Sequence, residues 1–114
     1  MIDYDNRPWG RWEEYIFETG YRVKRILVFP GSRLSLQRHK LRSEIWAVVE
    51  GSGLVTVDDK TFRVKVGDVV EIPKMGVHRL QNDTEDQSLV IIETQIGICR
   101  EDDIERLEDD YGRA

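Results

Sequence analysis

The stretch LSLQRHKLRSEIWAVVEG, residues 34–51, decides how the chain is read. It reads as a strand, a short loop and a second strand. LSLQRH (34–39) alternates, and EIWAVVEG (44–51) is β-branched and aromatic before it runs into Gly-Ser-Gly. Yet Gln37, His39, Arg42 and Glu44 crowd the place where a small domain builds its core. In a strand, residues i and i+2 share a face. Gln37 therefore points with His39, and Glu44 with Trp46. Pairing the two strands through the 40–43 loop lets Gln37, His39 and Glu44 converge. The only other histidine, His78, follows the P-K-M-G-V turn. Two imidazoles, a carboxylate and an amide oxygen are an N/O ligand set for one divalent ion, Zn, Mn, Fe, Co or Ni. Such a set leaves positions open for water or substrate.

Outward from this stretch, strand follows strand. YRVKRILVF (21–29) ends at Pro30-Gly31. LVTVDDKTFRVKV (54–66) reads as a hairpin turning at Asp58-Asp59-Lys60, and VVEIP (69–73) is stopped by proline. HRLQN (78–82) and SLVIIETQIG (88–97) complete the series, about eight strands in all. Only EDDIERLED (101–109) has a helical pattern, with Ile104 and Leu107 three apart and an acidic first turn. The expectation is an all-β single domain over residues 1–114, an antiparallel double-sheet barrel closed by a short C-terminal helix.

Net charge is −5, from 17 basic and 22 acidic residues, which argues against a nucleic-acid partner. The charges are segregated: Arg22, Lys24, Arg25, Arg33, Arg38, Lys40 and Arg42 crowd the first half, and the acids crowd 101–110. A local positive field in an acidic protein suits a small anionic substrate. The single cysteine, Cys99, forms no intramolecular disulfide. The N-terminus has no apolar core of a signal peptide, and the longest apolar runs, about five residues, are far short of a membrane span. A cytoplasmic location without membrane contact is expected.

From Gly31 the spacing is G-x5-Q-x-H-x4-E-x6-G, ending at Gly51. From Gly67 it is G-x5-P-x4-H-x3-N, ending at Asn82. These spacings resemble the two motifs of the cupin superfamily, whose fold is a double-stranded β-helix or jelly-roll barrel. Two departures stand out. Gln37 occupies the place of a first histidine, and Met75 stands where a glycine is usual, with Gly76 following. R-P-W-G (7–10), S-L-Q-x-H-x-x-R-x-E-x-W (35–46), I-P-x-x-x-x-H-R-L-x-N (72–82), I-E-x-Q-x-G (92–97) and E-D-D-I-x-R-x-E-D-x-Y-G-R (101–113) together resemble the type II mannose-6-phosphate isomerase cupin. That domain often follows a mannose-1-phosphate guanylyltransferase in one bifunctional chain. The family also has Gln at position 37. Ile45 replaces an expected histidine, on the face opposite Glu44.

The resemblance implies a metal-dependent isomerase that interconverts mannose 6-phosphate and fructose 6-phosphate by moving a proton between C1 and C2. Gln37, His39, Glu44 and His78 would hold the metal. The chain has no Gly-rich phosphate loop, so nucleotidyl transfer is not implied. The chemistry needs a carboxylate base and cations for the phosphate. Glu93, inside the apolar run VIIETQ, is the first candidate base and Glu71 in VVEIP the second. Arg42 and Arg106 lead for the phosphate, followed by Lys24 and Arg113. Each has a structural alternative. Glu93 and Glu71 could be ion-paired, Arg42 could hold Glu44 in place, Lys24 could be solvated, and Arg106 could pair with neighbouring acids. Trp9, Trp12 and Trp46 read as core or interface aromatics. Two other functions compete: a cupin that binds metal or sugar without turnover, and another metal-dependent cupin enzyme such as an epimerase or dioxygenase. Apolar residues on both faces of YRVKRILVF predict a homodimer.

Overall fold

Eleven β-strands and no helix make up the regular structure of residues 1–114, all of which the computed structural model describes. The strands are β1 (Asp3–Arg7), β2 (Gly10–Glu18), β3 (Tyr21–Val28), β4 (Leu36–Arg38), β5 (Arg42–Glu50), β6 (Ser52–Val57), β7 (Lys60–Lys65), β8 (Val69–Ile72), β9 (His78–Gln81), β10 (Leu89–Gly97) and β11 (Glu105–Glu108). They form two antiparallel sheets, ordered β1-β2-β3-β10-β5-β8 and β11-β4-β9-β6-β7. The inner faces meet around one cluster that includes Ile26, Val28, Trp46, Val48, Val55, Leu80, Leu89 and Ile91. Alternation in the sequence sets which residues enter it. β3 buries Ile26 and Val28 and turns Val23 and Leu27 outward, and β5 buries Trp46 and Val48.

Three strands exceed or correct the expectation. β1 and β2 form a hairpin across the Arg7-Pro8-Trp9-Gly10 turn, extending the first sheet. Their outer residues are charged, which hides the strand signal; Glu13 instead pairs with Arg11 and Arg25 at 3.1 Å each. Gly10 is required there, because its φ is +155° and a Cβ would run into the Leu27 carbonyl oxygen.

The expected C-terminal helix does not form: residues 105–108 are β11, paired with β4. Ile104 and Leu107 then lie on opposite faces of an extended chain instead of one helical stripe. A three-residue strand joined to β9 through one residue pair has an open edge, and pairing that edge outweighs a one-turn helix with two apolar residues. The acids that suggested a helix start serve as partners for the basic first half. Glu101 pairs with Arg22 and Lys24, Glu105 with Arg38, and Asp110 with Arg33. The charge segregation in the sequence is a zipper between distant segments, so the local positive field is largely cancelled. No helix is long and apolar enough to cross a membrane.

Candidate metal centre

Both sheets contribute to one polar cluster. β4 and the residue after it supply Gln37 and His39, and β9 begins at His78, the cross-strand partner of Gln37. From the opposite sheet β5 supplies Glu44. One ligand atom from each of His39, Glu44 and His78 lies within 4.8 Å of the others, and all three residues are buried. His39 Nε2 is 3.3 Å from Glu44 Oε2, and His78 Nε2 is 3.9 Å from Glu44 Oε1.

The histidine tautomers follow from their partners. His39 Nδ1 lies 2.6 Å from the Asp103 carbonyl and His78 Nδ1 lies 2.8 Å from the Gly76 carbonyl. A carbonyl can only accept, so each Nδ1 carries the proton and each Nε2 presents its lone pair to the cluster. Burial, reinforced by the charge on Arg42, pulls His39 down to about 4. Burial also lowers His78. Both rings are neutral donors at neutral pH. The Asp103 carboxylate accepts from Lys40 N and Leu41 N at 3.0 and 2.9 Å, which fixes the loop that carries His39. Met75 N donates to the His39 carbonyl at 2.7 Å, and Met75 holds φ +67°. The glycine usual at this place would take that conformation without strain.

Glu44 accepts from Arg42 Nε and Trp46 Nε1, both at 2.9 Å. Gln37 lines the same cavity, with its amide nitrogen donating to Ser35 Oγ at 3.1 Å. Two neutral imidazole nitrogens and a buried carboxylate, with the Gln37 amide in the adjoining cavity, fit a divalent ion, and hydrogen-bonded second nitrogens are the usual support of such ligands.

Above the cluster, the inner face of β10 carries Glu93 and Gln95. Glu93 lies between Lys24 of β3 and Trp46 of β5, and Gln95 lies between Arg22 and Glu44. Gln95 Nε2 donates to Glu93 Oε2 at 3.0 Å. Burial, aided by the negative charge of Glu44, pushes Glu93 up to about 8.

Other sequence candidates are placed differently. Glu71 is exposed on the outer face, because Val70 and Ile72 take the inward positions of β8; it stands apart from the cluster. Arg42 spends its donors on Glu44, on His39 Nε2 at 3.2 Å and on the Arg100 carbonyl at 3.3 Å, which is the holding role. Lys24 is buried, not solvated; its Nζ lies 2.7 Å from Glu101 and 4.2 Å from the Trp12 ring centre. Arg106 and Arg113 line the cavity. Sequence reasoning missed Gln95, Asp103, Arg7 and Arg79. Gln95 was accessible to it, since Glu93 and Gln95 are successive polar residues on one face of an otherwise apolar strand. Arg79 could not be placed without the tail, where Glu108 meets it at 3.1 Å.

Residues 3–109 match the family model described as mannose-6-phosphate isomerase C-terminal. The alginate biosynthesis protein AlgA of Pseudomonas aeruginosa is 50% identical over 95% of the chain and 22% of its own length. The mannose-1-phosphate guanylyltransferase ManC of Salmonella typhimurium is 39% identical over the same 95% and 22%. The chain thus spans about a fifth of the curated relatives it matches. Among solved structures, oxalate decarboxylase of Lactobacillus farciminis superposes with a TM-score of 0.79, at 22% identity, over 92% of this chain and 33% of that one. The cupin domain of Schizosaccharomyces pombe Cnp3 gives 0.72, at 17% identity, over 76% and 64%. These two likenesses concern the fold. With its two-sheet barrel, its histidine–glutamate cluster and a family match over nearly its whole length, the chain belongs to the mannose-6-phosphate isomerase C-terminal family of cupins.

Proposed function

We propose that this domain is a metal-dependent aldose–ketose isomerase acting on mannose 6-phosphate and fructose 6-phosphate. The observation that carries the reading is the meeting in one cavity of Glu93, a buried carboxyl group without an ion pair, with His39 and His78, the two histidines that cluster with buried Glu44. A divalent ion held by Gln37, His39, Glu44 and His78 would polarise the sugar carbonyl and stabilise the negative charge that develops on its oxygen.

The chain's own residues do the rest. Glu93 takes the proton from one carbon and returns it to the next, a task that suits a carboxylate whose pKa burial has moved toward neutrality. Gln95 fixes the Glu93 carboxyl through Oε2. Arg42 and Trp46 fix both oxygens of Glu44, so that it keeps one orientation. The two histidines stay neutral because burial opposes their protonation.

A coupled isomerase assay tests the reading. Metal-free protein is reloaded separately with Zn, Mn, Co, Ni or Fe(II) and given mannose 6-phosphate, with His39→Ala as control. Metal-dependent turnover that vanishes in His39→Ala is expected. No turnover with any ion, despite stoichiometric metal on the native protein, overturns the isomerase reading in favour of binding without catalysis or of another substrate. A homodimer belongs to the same proposal: the outer face of the first sheet carries half-buried Val23, Leu27, Ile45, Ala47 and Ile92. Sedimentation at micromolar concentration checks it, and an intact monomer there removes it.

A further inference from the structure

The cavity is lined by many cations, and nearly all of them are already neutralised. Lys24 is held by Glu101, Arg42 by Glu44 and Arg79 by Glu108. Arg106 differs: it has no ion pair and no hydrogen bond, and its Nε is buried without a partner. Two more guanidinium groups crowd it, Arg113 and Arg7, and with burial they disfavour its charge. The three come from separate segments: Arg7 from the end of β1, Arg106 from β11 and Arg113 from the tail. All three line the cavity of the metal cluster. Arg113 is paired with Asp109 at 2.9 Å, and Arg7 lies 3.3 Å from a half-exposed Asp5. Three cations against two carboxylates leave one positive charge, on the member with an unmet buried donor. Leaving such a donor unmet is costly, and an anion supplies what is missing.

The position matches a particular kind of anion. Arg106 is the cross-strand partner of Gln37, and Gln37 that of His78. Arg106 is thus two strand spacings, about 10 Å, from His78 along one face of the sheet. A charged group bound between Arg106 and Arg7 would lie to one side of the two histidines, beyond the width of β4 from His78. In a hexose 6-phosphate the phosphate lies at the opposite end of the carbon chain from the reacting carbons.

We infer that Arg7, Arg106 and Arg113 form an anion subsite that receives a phosphate monoester, with Arg106 as its central donor and Arg7 as a member on the opposite sheet's edge. That the occupant is the phosphate of a sugar rests on the isomerase reading; the anion subsite does not. Arg42 and Lys24 are excluded from it because their donors are spent on Glu44 and Glu101.

The test is calorimetric titration of inorganic phosphate into the metal-loaded protein, with metal content measured for every variant. Arg106→Gln is expected to weaken phosphate binding at least ten-fold and Arg7→Gln about three-fold. Arg106→Lys, which keeps the charge and loses the planar fork, falls between native protein and Arg106→Gln. Arg63→Gln, at an exposed pair with Asp83 outside the cavity, leaves binding unchanged. If Arg106→Gln does not fold, Arg7→Gln, at a surface turn, carries the test. Unchanged phosphate affinity in the arginine variants overturns the subsite, since the anion then sits on the metal or elsewhere. With mannose 6-phosphate, Arg106→Gln raises KM more than it lowers kcat. Phosphate binding lost in the variants, without turnover by the native protein, keeps the subsite and removes the isomerase reading. Turnover with KM unmoved in Arg106→Gln does the reverse.

Discussion

Strands β3, β5 and β10 each carry two kinds of inward surface. At one end of the barrel they present Ile26 and Val28, Trp46 and Val48, Leu89 and Ile91. At the other end the same faces present Arg22 and Lys24, Arg42 and Glu44, Glu93 and Gln95, all buried as well. The antiparallel register aligns the change: Leu89 faces Val28 and Ile91 faces Ile26, whereas Glu93 faces Lys24 and Gln95 faces Arg22. Half of the interior thus gains stability from apolar burial, and half gives it up to desolvate charges. Alternation along a strand tells which side chains enter; it does not tell which end of the barrel will be a core.

The comparison can be tested by changing one half at a time. The largest effect expected is on rate. Glu93→Gln should lower kcat about 1000-fold, roughly 4 kcal/mol in the barrier, with metal content and thermal midpoint unchanged in parallel melts. A comparable loss of stability would mean that the polar end is structural. Ile91→Ala, at the apolar end, should reverse the pattern. Urea unfolding is expected to show about 3 kcal/mol less stability, while bound metal stays stoichiometric. A loss of metal would show that the two halves are coupled.

A smaller effect concerns acid. Burial of Asp109 opposes its ionisation, but Arg113 more than offsets this and holds the carboxyl below its ordinary range. A depressed folded-state pKa gives stability that is present above the unfolded value, about 4, and disappears as pH falls through the folded value. Asp109→Asn should therefore be less stable than the native protein at pH 7, with the gap closing toward pH 2 in thermal melts. The smallest change expected is a gain. Met75→Gly removes a left-handed non-glycine residue beside the metal loop and should raise stability by about 0.5 kcal/mol, after the entropy glycine costs the unfolded state is counted. A loss instead would show that the Met75 side chain contributes packing at its half-exposed position.

Much of this was legible in the sequence, because β-structure with a period of two writes its inner face directly into the residues. The stretch 34–51 and the second histidine after Gly76 led to the cluster although the pairing expected between the strands at 34–39 and 44–51 does not form: β4 and β5 lie in different sheets, and the residues converge across the barrel. What failed was whatever depended on partners far along the chain. Residues 101–109 read as a helix because local signals were all that stood there, and the edge of β4 that captures them lies about 70 residues away. Glu71 looked buried because its neighbours are apolar, yet the parity of β8 sends it outward. Arg7 was invisible as a site residue, because nothing in R-P-W-G says that its arginine will meet the last turn of the chain.

Both histidines of the candidate centre have Nδ1 against a main-chain carbonyl, that of Asp103 or of Gly76. The proton on each Nδ1 is therefore inherited from the path of the chain, and on His39 a side chain, Arg42, adds a donor to Nε2 on the other edge of the ring. Replacing residue 103 changes the carboxylate that holds Lys40 and Leu41, but the carbonyl that aims His39 stays. This gives the centre a form of mutational robustness. A point substitution cannot delete a peptide oxygen; only a change in loop length or trajectory can move it. Insertions and deletions around 76 and 103, more than substitutions there, are the genetic events that would silence the centre.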